Sequence, residues 1–156
     1  MQIIKDSFKR LESSKEFKDF IKENKKAFLC SVFMISEVDS ISKALPQFNY
    51  FNEGKSATFT VSDKITIEES EYNTKDLKEL KLEHIKIGFK EILNKSLEVI
   101  KENYKSLNIL KVILVLDSEG FEITYLSTAL KAVVIKMDHS GNLISHQQNQ
   151  IVQSVL

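Results

Sequence analysis

Apolar residues recur at helical spacing in two stretches of this chain, and each stretch is followed by apolar runs of strand length. Ser13-Ser14-Lys15-Glu16 has the spacing of a capping box, so a helix is expected to start at Ser13. Phe17, Phe20 and Ile21 then share one face, with Lys15, Lys18, Glu23 and Lys26 outside it. Ile4, Phe8 and Leu11 add one turn ahead of that start. Residues 27–35 are a continuous apolar run rich in β-formers, which reads as a strand buried on both faces. Residues 37–46 are polar and end in the only proline, so they form a connection. Strands at 47–51 and 57–61 flank Asn52-Glu53-Gly54-Lys55, a hairpin turn where Gly54 can take positive φ. Ile65 and Ile67 alternate with Thr66 and Glu68 in a short further strand, and the charged residues 69–79 read as a linker.

The second half follows the same plan. Residues 80–87 do not settle between extended chain and helix. A second helix is expected from Gly88, with Glu91 at the third position and Ile87 and Ile92 as a hydrophobic staple. Its buried stripe would be Phe89, Ile92, Leu93, Ser96, Val99, Ile100 and Tyr104. Strands are expected at 109–116, 121–126 and 132–137, with Asp-started, Gly-ended turns at 117–120 and 138–141. The segment 147–156, with Ile151, Val152 and Val155 among glutamines, reads as a tail able to dock on an edge or a neighbouring chain.

The halves also match residue by residue. Ile21-Lys22-Glu23-Asn24 recurs as Ile100-Lys101-Glu102-Asn103 at the end of each helix. Residues 48–63 align without a gap on 123–138, matching Tyr50 with Tyr125, Phe59 with Val134 and Asp63 with Asp138. Two matches in the same order point to a duplicated unit, residues 13–69 and 88–146. The second unit ends Val133-Val134-Ile135-Lys136-Met137-Asp138-His139-Ser140-Gly141-Asn142-Leu143-Ile144. An apolar strand, Asp, two residues, Gly and a further apolar pair, after a helix and two strands, resembles a PepSY domain. The first unit carries the pattern without the glycine, since Asp63 is followed by Lys64 and Ile65. The resemblance implies a non-enzymatic interaction module, whose tandem members pair their sheets into one curved surface that binds or inhibits a protein partner.

Composition narrows the options. Twenty-two basic and 22 acidic residues cancel, which removes the electrostatic reason to expect nucleic acid as a partner. Arg10 is the only arginine, so bidentate recognition of phosphate has almost no donor. Cys30 is alone and cannot form an internal disulfide. Lys5 and Asp6 fall where a signal peptide needs its apolar run, and the apolar stretch at 112–116 is far below the roughly 18 residues of a membrane span. The expectation is a cytoplasmic protein without membrane insertion.

Candidate chemistry is sparse. Cys30 lies among Phe28, Leu29, Val32 and Phe33, which reads as a packed core cysteine rather than a nucleophile. His139 and His146 flank a hairpin end but read as exposed turn histidines, and no metal site is expected. Glu68, Glu69, Glu71 and Asp76 read as a solvated charge run. Phe48, Tyr50, Phe59, Phe121, Ile123 and Tyr125 either fill the core under the helices or leave Tyr50 and Tyr125 on an open face as contacts for a partner.

The expected fold is α+β, with two helix-plus-antiparallel-strands repeats, residues 1–79 and 80–156, forming one sheet with both helices on one face. The opposite face would carry Thr58, Thr60, Glu122, Thr124 and Lys136, a polar, β-branched surface suited to a protein or peptide partner or a homodimer. No catalysis and no cofactor is expected. The rival reading is a small carrier holding an apolar ligand between helices and sheet.

Overall fold

A computed structural model describes residues 2–72 and 76–151. Ile4, Phe8 and Leu11 sit at i, i+4 and i+7, and this stripe sustains a whole helix, α1 (Gln2–Ser13), where the sequence suggested a single turn. The Ser13 hydroxyl donates back to Lys9 O at 2.8 Å and so belongs to the end of α1. That leaves Ser14 as the cap of α2 (Lys15–Glu23), its Oγ accepting from the Phe17 amide at 3.2 Å. The expected start therefore moves one residue, because two adjacent serines compete and the helix before them takes the first.

β1 (Phe28–Glu37), β2 (Gln47–Asn52), β3 (Lys55–Val61) and β4 (Ile65–Glu71) form an antiparallel meander. Residues 38–43 inside the first connection wind into a short 3-10 helix. Glu53 and Gly54 both take positive φ, 46° and 84°, in the β2–β3 turn, which matches the twist that a tight hairpin needs. β4 runs on to Glu71 and draws three residues out of the expected linker. Leu80, Ile85 and Ile87 are buried in a largely extended segment broken by a 3-10 turn at Leu82–His84. Gly88 caps α3 (Phe89–Asn103) as the sequence proposes. β5 (Ile109–Asp117), β6 (Phe121–Ser127), β7 (Lys131–Met137) and β8 (Leu143–Gln150) make a second antiparallel meander. No strand is expected from the sequence here: β8 begins beyond the expected turn at 138–141 and runs into the expected tail at 147–156. Of the tail, residues 147–150 lie on the β7 edge, whereas Val152 and Val155 lie outside the described residues.

All eight strands make one antiparallel sheet in the order β4-β3-β2-β1-β5-β6-β7-β8. Register sets its two faces. Phe59, Phe48, Val32, Leu116, Phe121 and Met137 stand opposite one another on successive strands, and all are buried. Met34, Leu114, Ile123 and Ile135 form the row beside them. The helices reach this core. Phe8 lies 5.5 Å from Phe48, Phe17 and Phe20 lie 5.2–6.2 Å from Tyr50 and Phe59, and the Ser96 hydroxyl meets that of Tyr125 at 2.5 Å.

Register also corrects the gapless match between the halves. Phe48 pairs with Phe59, whereas Ile123, its counterpart, pairs with Ile135 and not with Val134. The second hairpin is one residue longer, so Phe59 and Val134 project to opposite faces. By register Ser62, not Asp63, occupies the place of Asp138.

Candidate functional site

Residues 27–35 were read as buried on both faces, but burial in β1 alternates. Leu29, Val32 and Met34 are buried, Phe33 is half-buried, and Ile35 is 45% exposed. The exposed alternates meet their like across the β1–β5 pair, Phe33 against Val115 and Ile35 against Ile113. The result is an apolar block in the centre of the sheet, on the face turned away from the buried rows. Val134 extends it, two strands beyond Ile113.

The five residues expected on this face lie around that block. One row crosses the whole sheet as Thr66, Thr60, Gln47, Phe33, Val115, Glu122, Lys136 and Ser145. Thr124 stands between Ile113 and Val134, and Thr58 stands between Asn49 and Glu68. The five do not form one cluster. Thr58 and Thr60 sit on β3, four strand spacings (about 19 Å) from Glu122 and Thr124 on β6. Glu122 and Lys136 pair at 3.3 Å, each about half exposed, which ties them to each other at little net gain. The face is therefore not the polar surface read from the sequence but an apolar centre with polar flanks.

At one end the block opens into a cleft of about 400 Å³. Thr58 and Val115 line it, with Cys30, Ser31, Asn49 and Asp117. A β-bulge between Leu29 and Ser31 leaves Cys30 without a partner on β2 and turns it toward this cleft, half-buried. It is not the core cysteine expected. Its Sγ–H donates to Asn49 O at 3.1 Å, and burial pushes the thiol above its ordinary value. A raised thiol pKa keeps Cys30 protonated and poorly nucleophilic at neutral pH. Asn49 links the cleft floor, donating to Ser31 Oγ at 3.0 Å and accepting from the Thr58 hydroxyl at 2.8 Å.

The other candidates resolve by position. Tyr50 and Tyr125 are 5% and 1% exposed beneath the helices, so they are core residues and not partner contacts. His139 is clipped between two turns, Nε2–H donating to Asp117 O at 2.7 Å. His146 stands on β8 and bonds the Tyr104 hydroxyl through Nδ1 at 2.7 Å. His139 therefore lies in its turn but is half-buried, and His146 is exposed but on a strand. Among the described residues, no three His, Cys, Asp or Glu side chains gather as a metal would require. Glu68, Glu69, Glu71 and Asp76 are all exposed.

No family model matches the chain, and no curated protein matches it. Its fold is similar to that of a crystal structure described as a "putative lipoprotein" from Clostridium difficile 630, at a TM-score of 0.53 and 12% identity. The match covers 86% of this chain and 90% of that one, and identity so low speaks for the fold alone. Among the described residues no helix is long and apolar enough to cross a membrane.

Proposed function

We propose that this chain is a non-enzymatic, PepSY-like binding module that takes a protein or peptide on the sheet face carrying Phe33, Ile35, Ile113 and Val115. In this reading it is a duplicated unit, each copy a helix layer with its four strands, and all helices lie on the Tyr50–Tyr125 side. A cytoplasmic setting fits its single free thiol. The observation that carries the reading is the apolar block itself, partly exposed in mid-sheet and flanked by Thr, Gln, Glu and Lys side chains. An apolar centre within a polar rim is the anatomy of a protein interface. The carrier alternative needs an enclosed apolar space between helices and sheet. The tilted and edge-on rings of Phe8, Phe17, Phe20, Phe48, Tyr50 and Phe59 occupy that space in the first half, which favours the binding module.

The test compares wild type with Ile35→Glu combined with Val115→Glu in cross-linked affinity capture from the source organism. Native mass spectrometry of the purified protein accompanies it. The wild type is expected to retain a protein partner that the variant loses, with both proteins melting at similar temperature. Equal capture by both would remove the face from consideration, and a co-purifying small apolar molecule would favour the carrier.

A further inference from the structure

The two edges of the sheet differ in a way that the apolar block does not explain. An edge strand exposes a row of unpaired N–H and C=O groups, and soluble proteins usually guard it with charge, proline or a covering element. β4 is guarded by charge. Glu68, Glu69 and Glu71 occupy three of its seven positions, all exposed. Among the described residues β8 carries no charge, proline or covering element, and its one irregularity is a β-bulge at Ile144 near its start. Its sequence is Leu-Ile-Ser-His-Gln-Gln-Asn-Gln, all eight residues are exposed, and from His139 to Leu156 the chain has no Asp, Glu, Lys or Arg. A chain that is 28% charged keeps this edge neutral throughout.

β8 is also held in place, which a docking strand requires. It pairs with β7 from Leu143 to Gln150, Ile151 N–H continues the ladder to Leu130 O at 2.7 Å, and His146 is pinned by Tyr104. Beyond the bulge at Ile144, residues 145–150 are a preformed template about 20 Å long.

We propose that β8 is a strand-addition surface whose occupant is a second copy of this chain, paired antiparallel through its own β8 about a two-fold axis. Three features favour a second copy over another occupant. A neutral edge offers no charge by which to select a foreign peptide, whereas an identical edge meets no like-charge opposition. Two β4 edges brought together would set carboxylates against carboxylates. Pairing β8 with a partner's β4 would be head-to-tail and would build a ring or an open fibre, while β8 on β8 closes as a dimer. In a pair centred on Gln147, Gln147 faces the partner's Gln147, and Ser145 faces the partner's Asn149. That register sets amides and hydroxyls opposite one another. The product is one continuous sheet of sixteen strands. Such an edge contact is smaller than a standard interface, so the dimer is a weak one. This pairing stands whether or not the apolar block binds a partner.

Sedimentation velocity of the full chain from about 5 μM to 1 mM, an estimated span for a weak dimer, tests it. Wild type is expected to shift toward dimer, and Gln147→Lys combined with Asn149→Lys to weaken association at least tenfold. Ile35→Glu serves as the face control and should dimerise as wild type does. Hydrogen exchange of the wild type supplies a readout independent of any variant, since amides within 143–150 should become protected as concentration rises. A wild type that stays monomeric to 1 mM overturns the proposal. So does an association abolished by Ile35→Glu and not by the edge lysines, or β8 exchange that ignores concentration.

Discussion

Tyr50 and Tyr125 occupy corresponding places, each on the second strand of its meander and each nearly buried beneath a helix. Their surroundings differ. Tyr50 is enclosed by rings, with Phe17, Phe59 and Phe20 at 5.2, 5.7 and 6.2 Å. Tyr125 has Val112 and Val133 as its cross-strand neighbours and a shared hydrogen bond with Ser96, which is itself fully buried. One half thus packs by aromatic interlocking. Around Tyr125 the packing is by aliphatic cross-strand neighbours and a single polar pair. The two meanders are therefore filled with different chemistry around these tyrosines, and the two fillings should fail differently.

The largest expected effect is in the aromatic half. Phe59→Ala removes a ring that touches Phe17, Phe20 and Tyr50, and should cost about 3–5 kcal/mol in urea unfolding. Ile135→Val, at the matching register position in the other half, should cost about 1 kcal/mol. Near-equal losses would erase the contrast.

A smaller effect separates the tyrosines. Tyr125→Phe strands the buried Ser96 hydroxyl with only Leu93 O as partner, at a cost of about 1–2 kcal/mol. Tyr50→Phe keeps the ring contacts and should fall within about 0.5 kcal/mol of wild type. Alkaline titration sharpens the point. Burial raises both phenols above their ordinary value, Tyr50 strongly, and the Ser96 bond opposes the rise at Tyr125. A phenol harder to ionise in the folded state contributes stability that is intact below about pH 10, the ordinary tyrosine value, and is lost as pH climbs toward the folded pKa. The urea midpoint should therefore drop above that pH, and drop less in Tyr50→Phe. An identical pH profile in both proteins would contradict the burial of Tyr50.

Much of this was readable from local pattern. The cap at Gly88, the tight turn at Glu53-Gly54 and the alternation that sends Thr58, Thr60, Glu122, Thr124 and Lys136 to one face all depend on neighbours in sequence. What was not readable depends on partners far along the chain. Phe33, Ile35, Ile113 and Val115 become one block only when β1 pairs with β5, and a run of apolar residues cannot announce that one of its faces will be left open. β8 has neither alternation nor an apolar stripe. It is a strand because β7 offers an edge. The serine miss was different in kind, since Ser13 and Ser14 are equivalent until α1 claims one of them.

The β1–β5 pair also sets how this chain reaches its fold. Every other neighbouring pair in the sheet joins strands consecutive in sequence, but this seam joins residues about 80 positions apart. Closing so long a loop costs roughly 2–3 kcal/mol more than closing a hairpin. Each meander can form by local steps, and the seam is then the slow event that commits the chain. Met34 lies buried in that seam against Leu114. Met34→Ala is expected to slow the refolding limb of a stopped-flow chevron, whereas Ile135→Val should act mainly by speeding unfolding. A refolding rate untouched by Met34→Ala would mean that the halves zip together only after the barrier has been crossed.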